Sequence, residues 1–139
     1  MKESDFYTRI RPWLFNVGTP LRIENTVTTG TPDVILLYRA TVFMLELKIM
    51  RRDKIIVRPF QLSTAEVYTK VDIPHDQYLF VCHSDEHIGV LAYTYQTIKR
   101  APYVSDSKDK VVFNLSKIIP THVWKSSADF TSWINSFNK

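Results

Sequence analysis

The stretch "TPDVILLYRATVFMLELK", residues 31–48, is a strand-like apolar run that is interrupted by a few charged residues. Two segments rich in β-branched and aromatic residues are separated only by Arg39-Ala40, so we predict a tight antiparallel hairpin. Their nearly continuous apolar character is typical of central strands that are covered on both faces. Three charged residues in these strands then need an explanation: Asp33, Glu46 and Lys48.

The predicted hairpin brings these charges together. Residues two apart in a strand share a face, so Glu46 and Lys48 point to one side of the sheet. A turn at 39–40 pairs residues whose numbers sum to 79, which places Asp33 opposite Glu46 or its near neighbours. Two carboxylates this close repel, and a protein keeps them when a cation lies between them or when one is protonated.

Two interpretations of this arrangement remain open. Oxygen-only ligation by two carboxylates is how proteins usually hold Mg²⁺ beside phosphate, and Lys48 could there hold an attacking water or a phosphate oxygen. Alternatively, Glu46 and Lys48 form an ordinary ion pair on a solvated strand, and Asp33 is a turn residue. The hairpin alone does not decide between a metal site and a surface ion pair.

The composition predicts one soluble intracellular domain. With 139 residues and 45% hydrophobic content, the chain can bury a core as a single domain, residues 1–139. The net charge of +4 permits a polyanionic partner without proving one. A single cysteine excludes an internal disulfide framework and suits the reducing cytoplasm. We find no signal peptide or membrane span, so no membrane partner is expected.

Hydrophobic periodicity predicts an α/β fold with a mixed sheet. A polar loop is expected over 101–110. We predict helices over 4–16, 60–70 (opened by Pro59) and 127–137, and strands over 21–27, 33–38, 41–49, 77–83, 88–95 and 111–115.

The pieces "PD" at 32–33 and "ELK" at 46–48 resemble the signature of the PD-(D/E)xK nuclease superfamily. The wider run "RIENTVTTGTPDVILLYRATVFMLELK…VRPFQ" resembles the small phage-type VRR-NUC and Holliday-junction-resolvase-like nucleases, which carry a glutamine in the helix after the lysine strand. Gln61 occupies that place. The resemblance covers about residues 3–70. It implies a restriction-endonuclease-like core with a central mixed β-sheet flanked by helices.

The resemblance also implies a role for each matching residue. Asp33 and Glu46 would bind the metal, together with the backbone carbonyl of Leu47. Lys48 would position or activate the attacking water, and Gln61 would orient that water or Lys48. The implied ion is Mg²⁺, with Mn²⁺ able to replace it.

Nucleases of this family use a further acidic residue upstream, usually on the first helix, and the sequence offers two. Glu3 lies one turn before Phe6, on the stripe expected to face the sheet. Glu24 lies on the first strand, where a surface salt bridge with Arg22 is the alternative. We favour Glu3 because of its helical position, and Glu24 stays open.

The stretch "MRRDKIIVRP", residues 50–59, places a basic cluster directly after the lysine strand. A nuclease needs phosphate contacts beside its metal, so we predict that this cluster binds DNA. A solvated charged loop is the alternative. The members of the cluster are Arg51, Arg52, Lys54 and Arg58.

Together these features predict a Mg²⁺-dependent DNA endonuclease that hydrolyses phosphodiester bonds. The resemblance favours branched DNA such as a Holliday junction, hence DNA recombination or repair, and a homodimer that places two sites on opposed strands. A phage-encoded protein of this kind would work in the host cytoplasm. Two alternatives remain: a restriction or repair nuclease acting on linear or single-stranded DNA, and an inactive DNA-binding module. Residues 71–139 carry no motif that we can interpret.

Overall fold

The computed structural model describes residues 1–22, 33–71, 78–107 and 109–137. Helices in these ranges are α1 (Glu3–Val17), α2 (Pro59–Lys70), α3 (Tyr95–Ile98) and α4 (Ser127–Asn135). Strands are β1 (Thr19–Arg22), β2 (Val34–Tyr38), β3 (Thr41–Met50), β4 (Lys54–Val57), β5 (Tyr78–Ser84), β6 (Val90–Thr94), β7 (Tyr103–Ser107), β8 (Lys110–Asn114) and β9 (His122–Trp124).

The central sheet has six strands in the order β1-β2-β3-β5-β6-β9. β3 and β5 run parallel, and the other neighbours are antiparallel, so the sheet is mixed as predicted. β2 and β3 form the predicted hairpin, with Val34 opposite Leu45, and the numbers of paired residues sum to 79. Arg39 takes a φ of 53°, in the left-handed region that two-residue hairpin turns use.

Helices α1 and α4 cover one face of this sheet. Phe6, Ile10 and Leu14 form the buried stripe of α1, and they pack in one cluster with Leu45 and Leu47 of β3. The helix continues through Pro12. The predicted first helix is therefore confirmed.

A second sheet and helix α2 lie on the other side. The three strands of this second sheet follow the order β4-β8-β7. Buried residues of β4 pack in one cluster with residues of β5 and with Ala65 of α2. Every residue of β5 is buried, as expected of a strand covered on both faces. The lysine strand β3 thus lies between two apolar layers.

The prediction of a polar loop over 101–110 is wrong, because β7 occupies half of that range and β8 begins at Lys110. β7 is an edge strand paired only with β8, and Tyr103 and Val104 are exposed, so the apolar alternation of a half-buried strand is weak. Three further short elements, β4, β9 and α3, were also not predicted. The predicted strand over 21–27 is described only up to Arg22, and Glu24 lies outside the described residues.

No helix in the described part of the chain is both long and apolar enough to cross a membrane.

Candidate active site

The charged residues of β3 are buried. Glu46 is 1% exposed and Lys48 is 7% exposed, whereas Leu45 and Leu47 point into the cluster beneath α1. The alternation of the strand therefore places both charges on the side of α2, as the two-residue period predicted. This burial contradicts the interpretation of Glu46 and Lys48 as an ion pair on a solvated strand.

Gln61, in the first turn of α2, joins the two buried charges. Its Nε2 donates to Glu46 Oε1 over 2.7 Å, and its Oε1 accepts from Lys48 Nζ over 2.9 Å. The same Oε1 accepts from the backbone N–H of Arg58 at 2.9 Å, so Gln61 also caps the helix that carries it. Pro59 opens this helix without losing a helical hydrogen bond. The orientation of the amide is fixed because its oxygen faces two donors and its nitrogen faces the Glu46 carboxyl group.

Asp33 precedes β2 and reaches across to β3. Its Oδ2 accepts from the backbone N–H of Leu47 over 2.9 Å, and Leu47 lies two residues past Leu45, which pairs with Val34 at the end of the ladder. The predicted juxtaposition of Asp33 with the neighbourhood of Glu46 is therefore present. The side chain of Leu47 lies in the core, and its backbone lies between the two charged residues of β3.

Tyr78 is a buried neighbour of the site that the sequence did not reveal. Its hydroxyl donates to Glu46 Oε2 over 2.8 Å, so each oxygen of this carboxyl group accepts one side-chain hydrogen bond. Burial raises the pKa of Tyr78 further above its ordinary value, with the Glu46 charge adding to the effect. Only the parallel pairing of β5 with β3 brings Tyr78 here, and no local pattern encodes that pairing.

The electrostatics of Glu46 are unusual for a carboxyl group. Burial, followed by the neighbouring Asp33 charge, raises the pKa of Glu46 from 4.5 to about 8. Lys48 and the hydrogen bond from Tyr78 lower that pKa but do not offset the other effects. The metal-free site therefore disfavours two negative charges, which is the condition under which a cation is stabilised.

Glu3 reaches the same site from the start of α1. The residue as a whole is exposed, but partial burial of its carboxyl group raises the pKa of Glu3, and the Asp33 charge adds to this rise. Lys48 and Arg58 act in the opposite direction. The structure thus brings Glu3 into electrostatic contact with Asp33 and Lys48.

An open cleft of about 600 Å³ gives access to these groups. Its lining includes acidic, basic and apolar side chains from five elements and from the residues that directly precede β2, α2 and β8. The lining residues are Glu3, Asp33, Lys48, Ile56, Arg58, Pro59, Phe60, Gln61, Asp109 and Lys110.

The basic cluster after β3 divides into two groups. Arg58 lines the cleft described above, and Arg51 and Lys54 line an adjoining cleft of about 560 Å³ that shares Glu3 and Lys48 with it. Arg52 lines neither of these two clefts; its backbone takes a φ of 51°, and its N–H donates to Glu86. Three of the four predicted DNA contacts thus border the candidate site.

The donor set suits a hard divalent cation. Asp33 and Glu46 offer carboxylate oxygens beside each other, and burial together with the Asp33 charge raises the pKa of Glu46. Among the described residues, no group of three or more His, Cys, Asp or Glu side chains is placed to hold a metal ion. Two carboxylates with water and phosphate oxygens match the usual coordination of Mg²⁺, which needs no all-protein cage.

The sequence matches no family model and no curated protein. In structure, the chain is similar to Hjc, a Holliday junction resolvase from Archaeoglobus fulgidus, with a TM-score of 0.50 and 10% identity over 82% of this chain and 81% of that chain. The chain has a restriction-endonuclease-like fold. This fold confirms the predicted fold class and the predicted resemblance at the level of architecture.

Two further solved structures have the same restriction-endonuclease-like fold at lower similarity. A nuclease from a fusellovirus has a TM-score of 0.48 and 10% identity, covering 95% of this chain and 89% of its own. A bacterial homing endonuclease has a TM-score of 0.45 and 8% identity, covering 98% of this chain and 89% of its own.

Proposed function

We propose that the protein is a metal-dependent endonuclease that hydrolyses phosphodiester bonds in DNA. The observation that carries this proposal is the buried network in which Gln61 joins Glu46 to Lys48 beside Asp33. Such a network is costly for a core and is useful where a phosphate must meet a cation and a positioned ammonium group. The similarity in fold to a Holliday junction resolvase supports the same conclusion.

Asp33 and Glu46, with the backbone carbonyl of Leu47, would hold Mg²⁺, and Mn²⁺ would replace it. The ion, when bound, supplies Lewis-acid chemistry that stabilises the negative charge developing on the phosphate. Its presence also favours the ionised form of Glu46, whose pKa is raised in the metal-free protein. Glu3 completes the acidic side of the site, and Glu24 remains the alternative outside the described residues.

The remaining residues position the reacting groups. Lys48 is held by Gln61 and can donate from its other N–H groups to the attacking water or to a phosphate oxygen. Arg58 and Lys110 line the cleft and would contact the neighbouring phosphates. These side chains would hold the phosphate and the water close together, which would reduce the entropy lost on reaching the transition state.

We further propose a branched DNA substrate and a homodimeric enzyme. Support comes from the sequence resemblance and from the resolvase similarity in fold. A four-way junction presents symmetric strands, and a two-fold dimer would place one site on each. We also propose a cytoplasmic location, and the free, buried thiol of Cys82 is compatible with a reducing compartment.

A nicking assay tests the proposal. Four-way, single-stranded and linear DNA are incubated with the protein and Mg²⁺, Mn²⁺ or EDTA. We expect cleavage only with the metals, and a loss of about 100-fold or more in Asp33→Asn and Glu46→Gln, because charge stabilisation supplies a large share of such rates. Binding of DNA should persist or strengthen in both variants, since each loses a negative charge.

Glu66→Gln is the matched control, because Glu66 is a partly exposed carboxylate paired with Lys70 on α2 and does not line the cleft. It should cleave like the wild-type protein. Undiminished cleavage in EDTA, or by folded Asp33→Asn or Glu46→Gln, would contradict the proposed mechanism.

A further inference from the structure

Two apolar side chains line the candidate catalytic cleft and remain exposed. Ile56 is 51% exposed and Phe60 is 62% exposed, and both face the cleft that contains Asp33 and Lys48. Phe60 directly precedes Gln61, so its backbone is fixed by the same helix start that holds the amide network. Exposed apolar side chains that line a cleft together with charged groups are typical of a ligand-binding groove.

The secondary structure explains why neither residue can be buried in this fold. On β4, Ile55 and Val57 point into the core, so Ile56 must point outwards. On α2, Phe60 lies about 140° around the helix axis from the buried Ala65. The exposure is therefore built into two rigid elements, and it occurs at the point where they meet the cleft.

The groups around Ile56 and Phe60 indicate the chemistry of the occupant. Lys48, Arg58 and Lys110 line the same cleft, and these cations suit phosphates. An apolar surface with an aromatic ring, next to phosphate-binding cations, matches a nucleotide whose base stacks on the ring while its phosphate contacts the cations. Two apolar side chains are far too few for a stable protein interface, which uses about 20–30 residues a side.

We propose that Ile56 and Phe60 form a subsite for one unstacked nucleobase that flanks the phosphate in the cleft. This inference rests on the proposed nuclease function and adds the class of substrate to it. A base inside a continuous duplex is stacked on both faces and cannot contact Phe60. The substrate is therefore DNA in which a strand is single or opened next to the bond that is cleaved.

Fluorescence anisotropy in EDTA tests the subsite without depending on cleavage. The probes are a labelled single strand and a labelled continuous duplex. Phe60→Ala should weaken binding to the single strand about 5- to 100-fold, as expected for one base–aromatic stack, and should leave duplex binding unchanged. Phe60→Trp should restore binding to the single strand. Equal losses on both probes would overturn the inference.

Val67→Ala is the matched control, because Val67 is also 62% exposed on α2 and does not line the cleft. It should bind both probes like the wild-type protein. Sedimentation of the same samples examines a second copy of the chain as the occupant. If Phe60→Ala dissociates a dimer and leaves single-strand affinity unchanged, the nucleobase subsite is wrong.

A second measurement locates the base. A duplex with a short single-stranded overhang fixes the register, and an abasic nucleotide replaces each overhang position in turn. At one position, the affinity ratio of wild type to Phe60→Ala should collapse to about one, because the stacked base is already missing. A ratio that is the same at every position would overturn the subsite.

Failure of this inference is distinguishable from failure of the proposed function. If wild type cleaves the overhang substrate with Mg²⁺, and Phe60→Ala binds single strands as tightly as wild type, only the subsite is wrong. Phe60-dependent binding without any metal-dependent cleavage would remove the nuclease proposal and leave the subsite. A wild-type protein that does not bind the single strand and cleaves none of the DNA substrates with Mg²⁺ or Mn²⁺ would overturn both.

Discussion

At the scale of single residues, Glu46 shows how a carboxyl group can be specified by its surroundings. The strand period places it on the side of α2, and its two oxygens accept hydrogen bonds from Gln61 and Tyr78. Burial and the adjacent Asp33 make ionisation of Glu46 costly in the absence of a cation. In the proposed site, a bound cation would offset this cost.

The pH dependence of stability follows from this residue. The pKa of Glu46 rises from 4.5 to about 8 on folding, so the folded state binds the proton more tightly than the unfolded state. The stabilisation is complete below about pH 4.5, declines as the pH rises, and is lost above about pH 8. Each pKa unit corresponds to about 1.4 kcal/mol, so several kcal/mol are at stake.

Denaturant unfolding in EDTA at pH 5 and pH 9 measures this effect. We expect wild type to lose about 2 kcal/mol or more relative to Glu46→Gln over this range, because glutamine carries no charge to bury. Glu3 has a pKa shift in the same direction but is present in both proteins, so the difference reports Glu46. Parallel losses of stability in the two proteins would contradict the raised pKa.

Among the helices and strands, the sequence predicted those whose structure depends on residues close together in the chain. The hairpin β2–β3 and its register followed from a two-residue turn and from strand alternation, and α1 followed from its apolar stripe. The edge strand β7 begins with two exposed residues, Tyr103 and Val104, and β9 has only three residues, so periodicity did not reveal either strand. Tyr78 was missed because the parallel pairing of β3 with β5 joins segments that are distant in sequence.

The start of α2 is the element on which the site depends most. Gln61→Ala removes the bridge between Glu46 and Lys48 and the cap on the Arg58 N–H. We expect a loss of about 1–3 kcal/mol in the free energy of unfolding, because buried groups lose partners. We also expect a fall in cleavage rate of about 10- to 100-fold, since Lys48 is no longer held in position.

Ser63→Ala is the control for this experiment, because Ser63 is exposed in the same helix and bonds only to the carbonyl of Pro59 in the described structure. It should stay within about 0.5 kcal/mol of wild type in unfolding and should cleave normally. A Gln61→Ala protein that cleaves like Ser63→Ala would show that the bridge is structural and does not position Lys48.

At the scale of the whole molecule, the position of the basic residues matters more than the modest net charge of +4. Arg58 lines the cleft of the candidate site, and Arg51 and Lys54 line the cleft that adjoins it. Arg52 follows Arg51 directly in sequence but lines neither of these clefts. The sequence predicted one basic cluster, and only the turn into β4 separates its members in space.

This separation gives the protein its own internal control for the path of DNA. If Arg51 and Lys54 contact phosphates, replacing each with Ala should reduce the slope of log K against log salt by about 0.7 to 0.9, and replacing both by on the order of 1.5. Arg52→Asn should leave the slope unchanged, and asparagine suits the positive φ at that position. Anisotropy on labelled DNA at several salt concentrations, in EDTA, measures all four proteins. Because phosphate contacts read no bases, the loss of affinity should be similar for single strands and duplexes, unlike the loss expected from Phe60→Ala. If the slope for Arg52→Asn is as low as that for Arg51→Ala, DNA also contacts the turn between β3 and β4 that carries Arg52. If the slope is unchanged in every variant, DNA binds elsewhere, on the surface of α1 or on the second sheet.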